Sequence, residues 1–502
     1  MEVQLPEYSL RIMAPEIFLF LWALVVFTFD LFTKRRTGTA VGYLALLGLL
    51  ITGVLMAVTS YGTGFGKMFF NDPLSLFFKI VFVGAAFMAI GSSFDITRQK
   101  IVNHRGEYFG LILLSTVGMM FLASSNELLS LYIGLELTTI PLFVLAAFYK
   151  DDKLSVEAGI KYFVVGAFSS ALLLYGLSFL YGLAGTTEIV AMKIRLAETH
   201  IAHGNIGLIL SLAVVMIVAG LGFKLTLPPF HQWAPDVYEG SPTPIAAFLS
   251  VGSKAAGLVA FIKIFVNGLW AFWGQEMAPN DWGVLVGILA CVAMVYGNVV
   301  AIRQTNIKRM LAYSSIAQAG YIMIGMVAMN EHGLAAVGFY IFAYMFANMG
   351  AFAVVAIVED RTGSCQIHDY RGLGWSSPLL ALSMAVFLLS LVGIPPLAGF
   401  IAKYKVFAAA IAMAGTGSSN TWLYWLVGVG LLTSVFALYY YANVIKQMYF
   451  HTEASPHSIR FSLPAFGVVL IGLVGVVLFG IYAEPILEFA SELPVMAGVI
   501  PR

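Results

Sequence analysis

Apolar runs of about 20 residues, the length that an α-helix needs to cross the hydrocarbon of a bilayer, recur from one end of the sequence to the other. We place about fourteen such runs, and the short polar segments between them leave no room for a soluble domain. The composition agrees, because 60% of the 502 residues are hydrophobic and only 11% are charged, whereas soluble domains carry far more charge. The sequence therefore predicts an all-α polytopic membrane protein whose first helix is retained rather than removed as a signal peptide.

Two of the predicted spans are interrupted by a pair of prolines. Pro228 and Pro229 interrupt "LGFKLTLPPFHQW", and Pro395 and Pro396 interrupt "LLSLVGIPPLAGFIAKYKVF". Proline has no amide hydrogen, so each pair leaves carbonyls one turn earlier without their helical partners. Such groups are tolerated at membrane depth only where the chain faces protein or a water-filled cavity. The carbonyls concerned are those of Lys224, Leu225, Leu391 and Val392.

The interrupted spans also indicate an internal repeat. They are the seventh and twelfth in our assignment, at 206–230 and 378–410, and an odd offset means that they cross the membrane in opposite directions. Pro-interrupted spans at corresponding positions of an inverted repeat point to a transport site. We predict N-terminal helices over 1–106, two inverted five-helix repeats over 107–270 and 271–450, and a last helix with its tail over 451–502.

Every basic residue inside a predicted span is a lysine. This choice matters because a desolvated lysine can release its proton, whereas an arginine effectively cannot. Only one acid, Glu136, lies deep in a span, while Glu16 and three other acids lie at span ends, where water can reach them. The seven lysines are Lys79, Lys161, Lys224, Lys254, Lys263, Lys403 and Lys405.

Glu136 and Lys224 are the natural partners for a shared site. If the two groups move apart, both shift toward their neutral forms, so that the pair acts as a proton switch; a purely structural ion pair is the alternative. Lys254, which has small neighbours, and Lys403, which follows the second break, are candidate relay residues.

For the remaining titratable residues a structural role is at least as strong an interpretation. Lys79 and Lys263 lie toward span ends and are expected to snorkel to the surface. Lys161 would either snorkel in the same way or feed protons inward. His231 titrates near neutral pH and would either take up protons or cap the loop. Lys405 points to the face opposite Lys403.

The basic residues are distributed unequally between the two sides of the membrane. Fifteen of the 27 fall on one side and five on the other, the remainder being the lysines within spans. By the positive-inside rule the first side is cytoplasmic, and both termini face outward. The two cysteines, Cys291 and Cys365, suggest neither a disulfide framework nor a metal site. No nucleotide-binding or iron–sulfur motif is present, so we expect no cofactor on this chain.

The stretch "GFKLTLPPFHQWAPDVYEGSPTPIAAFLSVGSKAAG", together with "LYIGLELTTIPLFVL", "IKRMLAYSSIAQAGY" and "LVGIPPLAGFIAKYKVF", resembles the antiporter-like subunit N of respiratory complex I, called subunit 2 in chloroplasts and cyanobacteria. The resemblance covers nearly the whole chain and is strongest over 126–408. The related subunits M and L typically lack the "DVYEGSPTP" that follows the first break. Subunit L also carries a long C-terminal lateral helix, for which this chain has no length.

The resemblance implies roles for particular residues. Glu136 and Lys224 would form the ion pair of a proton channel, Lys254 would be its central relay, and Lys403 would serve the second half-channel. Gln318 stands where related subunits often carry histidine, so a titratable relay is not expected there. His231 and Lys161, together with Lys263 and Lys405, are the candidates for a secondary proton path.

The resemblance also implies partners and a location. The chain would be one membrane-arm subunit among several, including other antiporter-like subunits, in a bacterial inner membrane or an equivalent energy-transducing membrane. NADH, FMN, iron–sulfur clusters and quinone would be bound by partner subunits; lipid is an expected partner, and nucleic acid is not. Two other hypotheses remain: a subunit of a multi-subunit cation/proton antiporter, and a membrane scaffold with inert polar residues. The lone deep acid argues against a sodium site, which would need clustered oxygen ligands.

Overall fold

The computed structural model describes residues 10–32, 39–101, 103–203, 207–269, 281–328, 330–417, 420–451 and 462–493. The basic residues Lys34, Arg35, Arg36, Arg460 and Arg502, which contribute to the predicted sidedness, lie outside these ranges. Every candidate site residue lies within them.

The described chain is helical apart from one small hairpin. The N-terminal part comprises α1 (Ala14–Phe32), α2 (Thr39–Val58), β1 (Gly62–Gly64), β2 (Phe69–Asn71), α3 (Pro73–Ser92) and α4 (Phe94–Gln99). The next part comprises α5 (Arg105–Ser124), α6 (Leu128–Ala146), α7 (Lys153–Ala184), α8 (Ile189–His203), α9 (Gly207–Leu225), α10 (Trp233–Gly240), α11 (Thr243–Phe248) and α12 (Lys254–Phe261), with π-helical turns at Leu249–Ser253 and Ile262–Gly268. The last part comprises α13 (Asp281–Ala301), α14 (Ile307–Ala328), α15 (Glu331–Thr362), a 3₁₀ turn (Ile367–Tyr370), α16 (Leu373–Ser376), α17 (Pro378–Val392), α18 (Ala398–Ala414), α19 (Trp422–Phe450), α20 (Leu463–Ile481) and α21 (Glu484–Ser491).

Thirteen helical segments of the described ranges are long and apolar enough to span a bilayer. The shorter helix α17 ends at Val392 and α18 begins at Ala398, and together these two helices form the fourteenth span. Likewise α9 ends at Leu225, and the chain resumes its helix only at α10. The predicted all-α membrane fold and its two proline-broken helices are therefore confirmed.

The two inverted repeats are visible in matching contacts. In the first, an isolated β-bridge joins Glu127, before α6, to Glu188, after α7; in the second, Asn306, before α14, is bridged to Gln366, after α15. Helices α7 and α15 are each 32 residues long and end at a left-handed glycine. Both Pro–Pro bonds are cis. Because α6 and α14 run in opposite directions, the two bridges lie at opposite faces of the molecule. The domain boundaries at 106, 270 and 450 stay a prediction.

The repeats meet along the centre of the molecule. The apolar segment of α14 and the span from Thr243 to Gly268 are wholly buried, whereas α1, α7, α19 and α20 expose most of their surface as lipid-facing helices do. We call the face where α1 begins the N-terminal face. The opposite face, which carries Lys150, Lys153, Lys308 and Arg309, is called the basic face.

Close helix packing at small residues holds α5 against α6. A Cβ atom added at Gly118 would lie 2.5 Å from the backbone nitrogen of Thr138. We therefore expect Gly118→Ala to force the two helices apart and destabilise the protein by about 1–3 kcal/mol, the usual cost of overpacking. The measurement is the thermal unfolding midpoint of the detergent-solubilised protein. Gly182→Ala is the matched control, since no atom lies within 4 Å of its added Cβ; equal midpoints for the two variants would contradict this packing.

Candidate functional site

Besides Lys79 on the regular helix α3, four of the predicted lysines are buried within the spans. Lys254 is 1% exposed, and Lys263, Lys403 and Lys224 are also buried. Lys405, in contrast, is exposed on α18, on the side away from Lys403. These four lysines lie on three discontinuous or irregular spans: α9, the segment from α11 to the second π-turn, and α18. The irregular backbone and the buried amines therefore occur together.

Glu136 and Lys224 line one small cavity between α6, α7 and α9. Among the described residues, however, they do not form an ion pair within 4 Å. Instead, the Nζ of Lys224 donates a hydrogen bond to the Thr139 hydroxyl, and the Ser170 hydroxyl donates one to the carboxylate of Glu136. The predicted direct pair is therefore replaced by two hydroxyl contacts across a shared cavity.

The second break satisfies its freed carbonyls with side chains. The Nζ of Lys403 donates to the carbonyl of Val392 over 2.9 Å, and the Nε2 of Gln318 donates to the carbonyl of Leu391 over 3.0 Å. These are the two carbonyls that the Pro395–Pro396 pair leaves without amide partners. Lys403 also lies 4.2 Å from the ring centroid of Tyr321. A buried amine thus replaces a missing backbone donor.

The first break uses different partners. Thr226 adopts a left-handed conformation, with φ 58°, and its hydroxyl donates to the carbonyl of Leu225 over 2.6 Å. The indole of Trp233 donates to the carbonyl of Phe223 over 3.1 Å. His231 is buried nearby with its ring edge-on to Tyr296, and within the described ranges its Nδ1 has no hydrogen-bond partner. The backbone around the first break is therefore hydrogen-bonded without the amine of Lys224.

Lys254 contacts the central helix α14. Its Nζ donates to the hydroxyl of Ser315 over 2.6 Å and to the carbonyl of the same residue. The Tyr344 hydroxyl donates to Ser315 over 3.0 Å, and the amine lies 5.5 Å from the Tyr344 ring centroid. Lys254 directly follows one π-helical turn, and a second one contains Lys263; such turns are frequently found at functional sites.

A polar stripe on α14 connects the two lysines. Ser315 binds Lys254, and Gln318, one turn later, accepts from the Tyr340 hydroxyl. Tyr321, a further turn along, lies against Lys403 and donates to Thr433 over 3.1 Å. We call Ser315, Gln318 and Tyr321 the α14 stripe. The resemblance pointed to the position of Gln318, but Tyr321 was not predicted because tyrosines are common in these spans.

Lys161 lies in a charge cluster at the basic face. Its Nζ is 2.5 Å from Asp236 and 2.5 Å from Glu157. Arg309 on α14 lies 2.7 Å from the same Asp236 and 2.8 Å from Glu239. We call these five residues the basic-face cluster. Asp236 therefore connects α7 of the first repeat with α14 of the second, a contact that no sequence pattern indicated.

Lys79 and Lys263 do not snorkel to the surface as predicted. Lys79 is 1% exposed and lies 2.7 Å from Glu16. The Nζ of Lys263 donates to the carbonyl of Ser125 over 2.6 Å. Glu16 is also buried rather than open to water. The expectation was wrong because α1 and the β-hairpin cover the outer end of α3 and provide polar partners beneath the surface.

In the part of the chain that the structure describes, no group of three or more histidine, cysteine or acidic residues could hold a metal ion. Cys291 and Cys365 are both free thiols. Burial raises the pKa of Cys365, in the loop after α15, to about 12. This thiol is therefore protonated and unreactive at neutral pH.

Comparison with known proteins agrees with this architecture. Residues 125–437 match the family described as the NADH:quinone oxidoreductase/Mrp antiporter transmembrane family. The chain is 40% identical over 487 residues to the NADH-quinone oxidoreductase subunit N of Desulforamulus reducens, covering 97% of this chain and 98% of that one. It is 39% identical over 502 residues to the F(420)H(2) dehydrogenase subunit N of Methanosarcina mazei, covering 96% and 97%.

A solved structure is similar over nearly its whole length. A chain of respiratory complex I from Thermus thermophilus superposes with a TM-score of 0.77 at 29% sequence identity, over 95% of this chain and 99% of that one. The family match covers both broken helices, every buried lysine except Lys79, and the α14 stripe. The chain therefore belongs to the NADH:quinone oxidoreductase/Mrp antiporter transmembrane family.

Proposed function

We propose that this chain is the proton-translocating membrane subunit of an NADH:quinone oxidoreductase, and that Glu136, Lys224, Lys254 and Lys403 carry the proton. The observation that carries the proposal is the α14 stripe, which joins Lys254 to Lys403 by hydroxyl and amide groups through a wholly buried helix. An inert scaffold has no need for ionisable side chains at this depth, because each costs about 2.5–3.5 kcal/mol at a helix centre.

The contacts of the lysines suit proton release. Lys224 donates to a threonine hydroxyl, Lys254 to a serine and Lys403 to a backbone carbonyl. None of these oxygens is an anion, so no directly bonded charge holds the ammonium in its protonated form. Glu136, across the cavity, supplies a carboxylate whose distance from Lys224 sets how firmly the amine keeps its proton. A change in that distance is the switch.

The energy for this transfer comes from outside the chain. Moving one proton against 100 mV costs about 2.3 kcal/mol. NADH, FMN, iron–sulfur clusters and quinone would act on partner subunits and drive the switch through contacts between membrane-arm subunits. The Methanosarcina mazei relative belongs to an F(420)H(2) dehydrogenase, which fits a membrane subunit that is separate from the electron-donor site.

We assign the basic face to the cytoplasm and both termini to the outer side of an energy-transducing membrane, by the positive-inside rule. The basic-face cluster then lies where protons are taken up, with Lys161 and Asp236 partly open to water. His231, buried beside the first break, lies between that surface and Lys224. Lys405 is exposed on α18 and does not join this path.

A cation/proton antiporter subunit is the second candidate, because the matching family includes Mrp antiporters. Reconstituting the chain with its membrane partners but without redox subunits, then measuring sodium-dependent proton exchange, separates the two. Exchange driven by a sodium gradient alone would favour the antiporter. The absence of such exchange, with NADH-dependent pumping in the intact complex, would favour the redox-driven pump.

Lys403→Met should abolish most proton pumping while the complex assembles. The amine that donates to Val392 and contacts Tyr321 is lost, and loss of a proton-transfer group costs about a hundredfold in that step. The measurement is NADH-driven acidification of inverted membrane vesicles, normalised to the amount of assembled complex on a native gel. Lys405→Met, on the same helix but exposed, is the control and should pump normally; normal pumping by both variants would refute the role of Lys403.

Glu136→Gln should reduce proton pumping. The pumping that remains should depend more strongly on pH than it does in the unchanged protein. The amide keeps the contact with Ser170 but carries no charge to hold the proton on Lys224. Turnover coupled to pumping is measured from pH 6 to pH 9 in assembled complex. A profile identical to that of the unchanged protein would show that Glu136 has only a structural role.

Asp236→Asn should weaken the link between the repeats without unfolding the protein. The partly exposed ion pairs to Lys161 and Arg309 contribute at most about 1 kcal/mol each, so the complex content should stay normal. Pumping should nevertheless fall, because proton uptake at Lys161 and the position of α14 both depend on this carboxylate. Asp151→Asn, exposed in the loop before α7, is the control. Equal pumping by Asp236→Asn and Asp151→Asn would show that Asp236 has no role in proton pumping.

A further inference from the structure

Helix α13 carries one buried amide that lies outside the proton path proposed for the lysines. Apart from Asp281 at its first position, Asn298 is the only residue of α13 with an amide or a charged side chain, and it is fully buried. Burying an amide is unfavourable unless its hydrogen-bonding groups are paired. The partners of Asn298 therefore indicate what this residue does.

Hydrogen bonds fix both ends of the Asn298 amide. Its Nδ2 donates to the carbonyl of Met294 over 2.7 Å and to the hydroxyl of Tyr321 over 3.0 Å. Its Oδ1 accepts from the Tyr440 hydroxyl over 3.1 Å. The Tyr321 hydroxyl in turn donates to Thr433 on α19 over 3.1 Å. The tip of the Tyr321 side chain is thus held by α13 and α19, although its backbone belongs to α14.

The ring that is held in this way lies over the amine of Lys403. The Nζ of Lys403 is 4.2 Å from the centroid of the Tyr321 ring, whereas the Nζ of Lys254 is 5.5 Å from that of Tyr344. An aromatic face attracts an ammonium group within about 6 Å, and most strongly where water is excluded. Because Lys403 is buried, this attraction acts on it at close range and with little screening.

The ring distinguishes the charged amine from the neutral one better than the other contacts of Lys403 do. The carbonyl of Val392 and the hydroxyl of Ser434 accept from its Nζ over 2.9 Å and 3.2 Å, and both can also accept from a neutral amine. Attraction to an aromatic face depends on the positive charge. The Tyr321 ring therefore favours the protonated form of Lys403.

The surroundings of Lys403 contain few other titratable groups. Tyr340 and Tyr344 on α15 line the small cavity at Lys403, and among the described residues Lys403 is the only acidic or basic side chain that lines it. Helices α17 and α20, which also pack against α18, contain no titratable residue, and α19 faces the amine with the hydroxyl of Ser434. The Tyr321 ring is therefore the neighbour with the strongest preference for the ammonium.

Helix packing does not account for Asn298. A Cβ atom added at Gly297 would lie 2.7 Å from the backbone nitrogen of Ala317, and one added at Gly320 would lie 2.7 Å from the carbonyl oxygen of Ala290. Helices α13 and α14 are thus in direct backbone contact at two other positions. Loss of the Asn298 amide should leave these contacts, and with them the assembly of the protein, in place.

We propose that Asn298 is a positioning residue for Lys403: it holds the hydroxyl of Tyr321, so that the Tyr321 ring stays against the amine and stabilises its protonated form. The inference rests on the proposed function, because it takes Lys403 as a proton carrier. The hold on Tyr321 sets the pH up to which Lys403 keeps its proton. Asn298 itself carries no proton.

Tyr321→Leu tests the effect of the ring. Without the aromatic face, the proton affinity of Lys403 should fall by about tenfold, within the range of desolvated cation–π contacts, which corresponds to about one pH unit. NADH-driven proton pumping by the assembled complex is measured from pH 6 to pH 10, relative to the unchanged complex at each pH. We expect its alkaline limb to move by about one unit to lower pH. Tyr404→Leu, exposed on α18 beside Lys403, is the control and should leave the profile unchanged.

Asn298→Leu tests the hold on the ring. This variant keeps the tyrosine but frees its hydroxyl from α13, so the alkaline limb should move in the same direction by less than in Tyr321→Leu. Since Asn298 acts only through the ring, the double variant Asn298→Leu/Tyr321→Leu should show the same profile as Tyr321→Leu alone. A merely structural role for Asn298 would lower the amount of assembled complex and reduce pumping equally at every pH.

Three results would overturn the proposal. They are an unchanged pH profile in assembled Tyr321→Leu complex, an unchanged profile in assembled Asn298→Leu complex, and shifts that add in the double variant. If Tyr321→Leu does not assemble, the profiles of Asn298→Leu and Tyr404→Leu decide: a shift in the first alone supports the proposal, and equal profiles overturn it.

Lys403→Met separates this inference from the proposed function. If Lys403→Met pumps normally, Lys403 is not a proton carrier and the proposed function fails together with the inference. If Lys403→Met abolishes pumping while Tyr321→Leu and Asn298→Leu keep the unchanged profile, Lys403 carries the proton but is not tuned by the ring. Loss of pumping in Lys403→Met with shifted profiles in the other two variants supports both.

Discussion

Backbone carbonyls released inside the membrane determine how this molecule is built. An unpaired carbonyl in hydrocarbon costs several kcal/mol, and two proline pairs release such groups near the middle of two spans. At the second break, Lys403 and Gln318 donate to the freed carbonyls of Val392 and Leu391. The hydrogen bond to Val392 fixes the amine of Lys403, and the same hydrogen bond satisfies a carbonyl that the break releases. A site with an ionisable group at membrane depth thus follows from the need to pair the backbone.

The two breaks solve the same problem differently, and the difference bears on function. At the first break the hydroxyl of Thr226 donates to the freed carbonyl of Leu225, and the amine of Lys224 instead donates to Thr139 beside the cavity of Glu136. At the second break the amine is itself the donor. A proton lost from Lys403 therefore weakens the pairing of a carbonyl, whereas one lost from Lys224 does not. The two breaks are related by the fold but differ in how protonation of the nearby lysine would affect the backbone.

Helix α14 is the element through which the halves communicate. It belongs to the second repeat, yet its Arg309 binds Asp236 of the first repeat at the basic face, and its Ser315 binds Lys254 at the centre. One rigid, buried helix therefore touches the surface cluster, the central lysine and the second break. A small shift of α14 would alter all three contacts, and under the proposed function such a shift would connect a remote redox reaction to the lysines.

Much of this arrangement could be predicted from the sequence, and what could not has a common physical reason. Some features are local in the sequence: the span lengths, the proline pairs and the lysines within apolar runs. They were enough to predict the fold and the two breaks. They also indicated the candidates Lys224, Lys254 and Lys403. The burial of Lys79 against Glu16 and the link from Lys161 through Asp236 depend on how helices rotate about their axes. Helices that are apolar on every side carry no pattern that fixes this rotation, and only the packed structure reveals it.

Proton transfer among Lys224, Lys254 and Lys403 requires ordered water wherever hydroxyl and amide groups do not join them directly. The most direct measurement is a cryo-electron microscopy map of the assembled complex at a resolution that shows ordered water. We expect water molecules in the cavity of Glu136 and Lys224, along the α14 stripe, and at Lys403. Tightly packed side chains without water between these amines would contradict it.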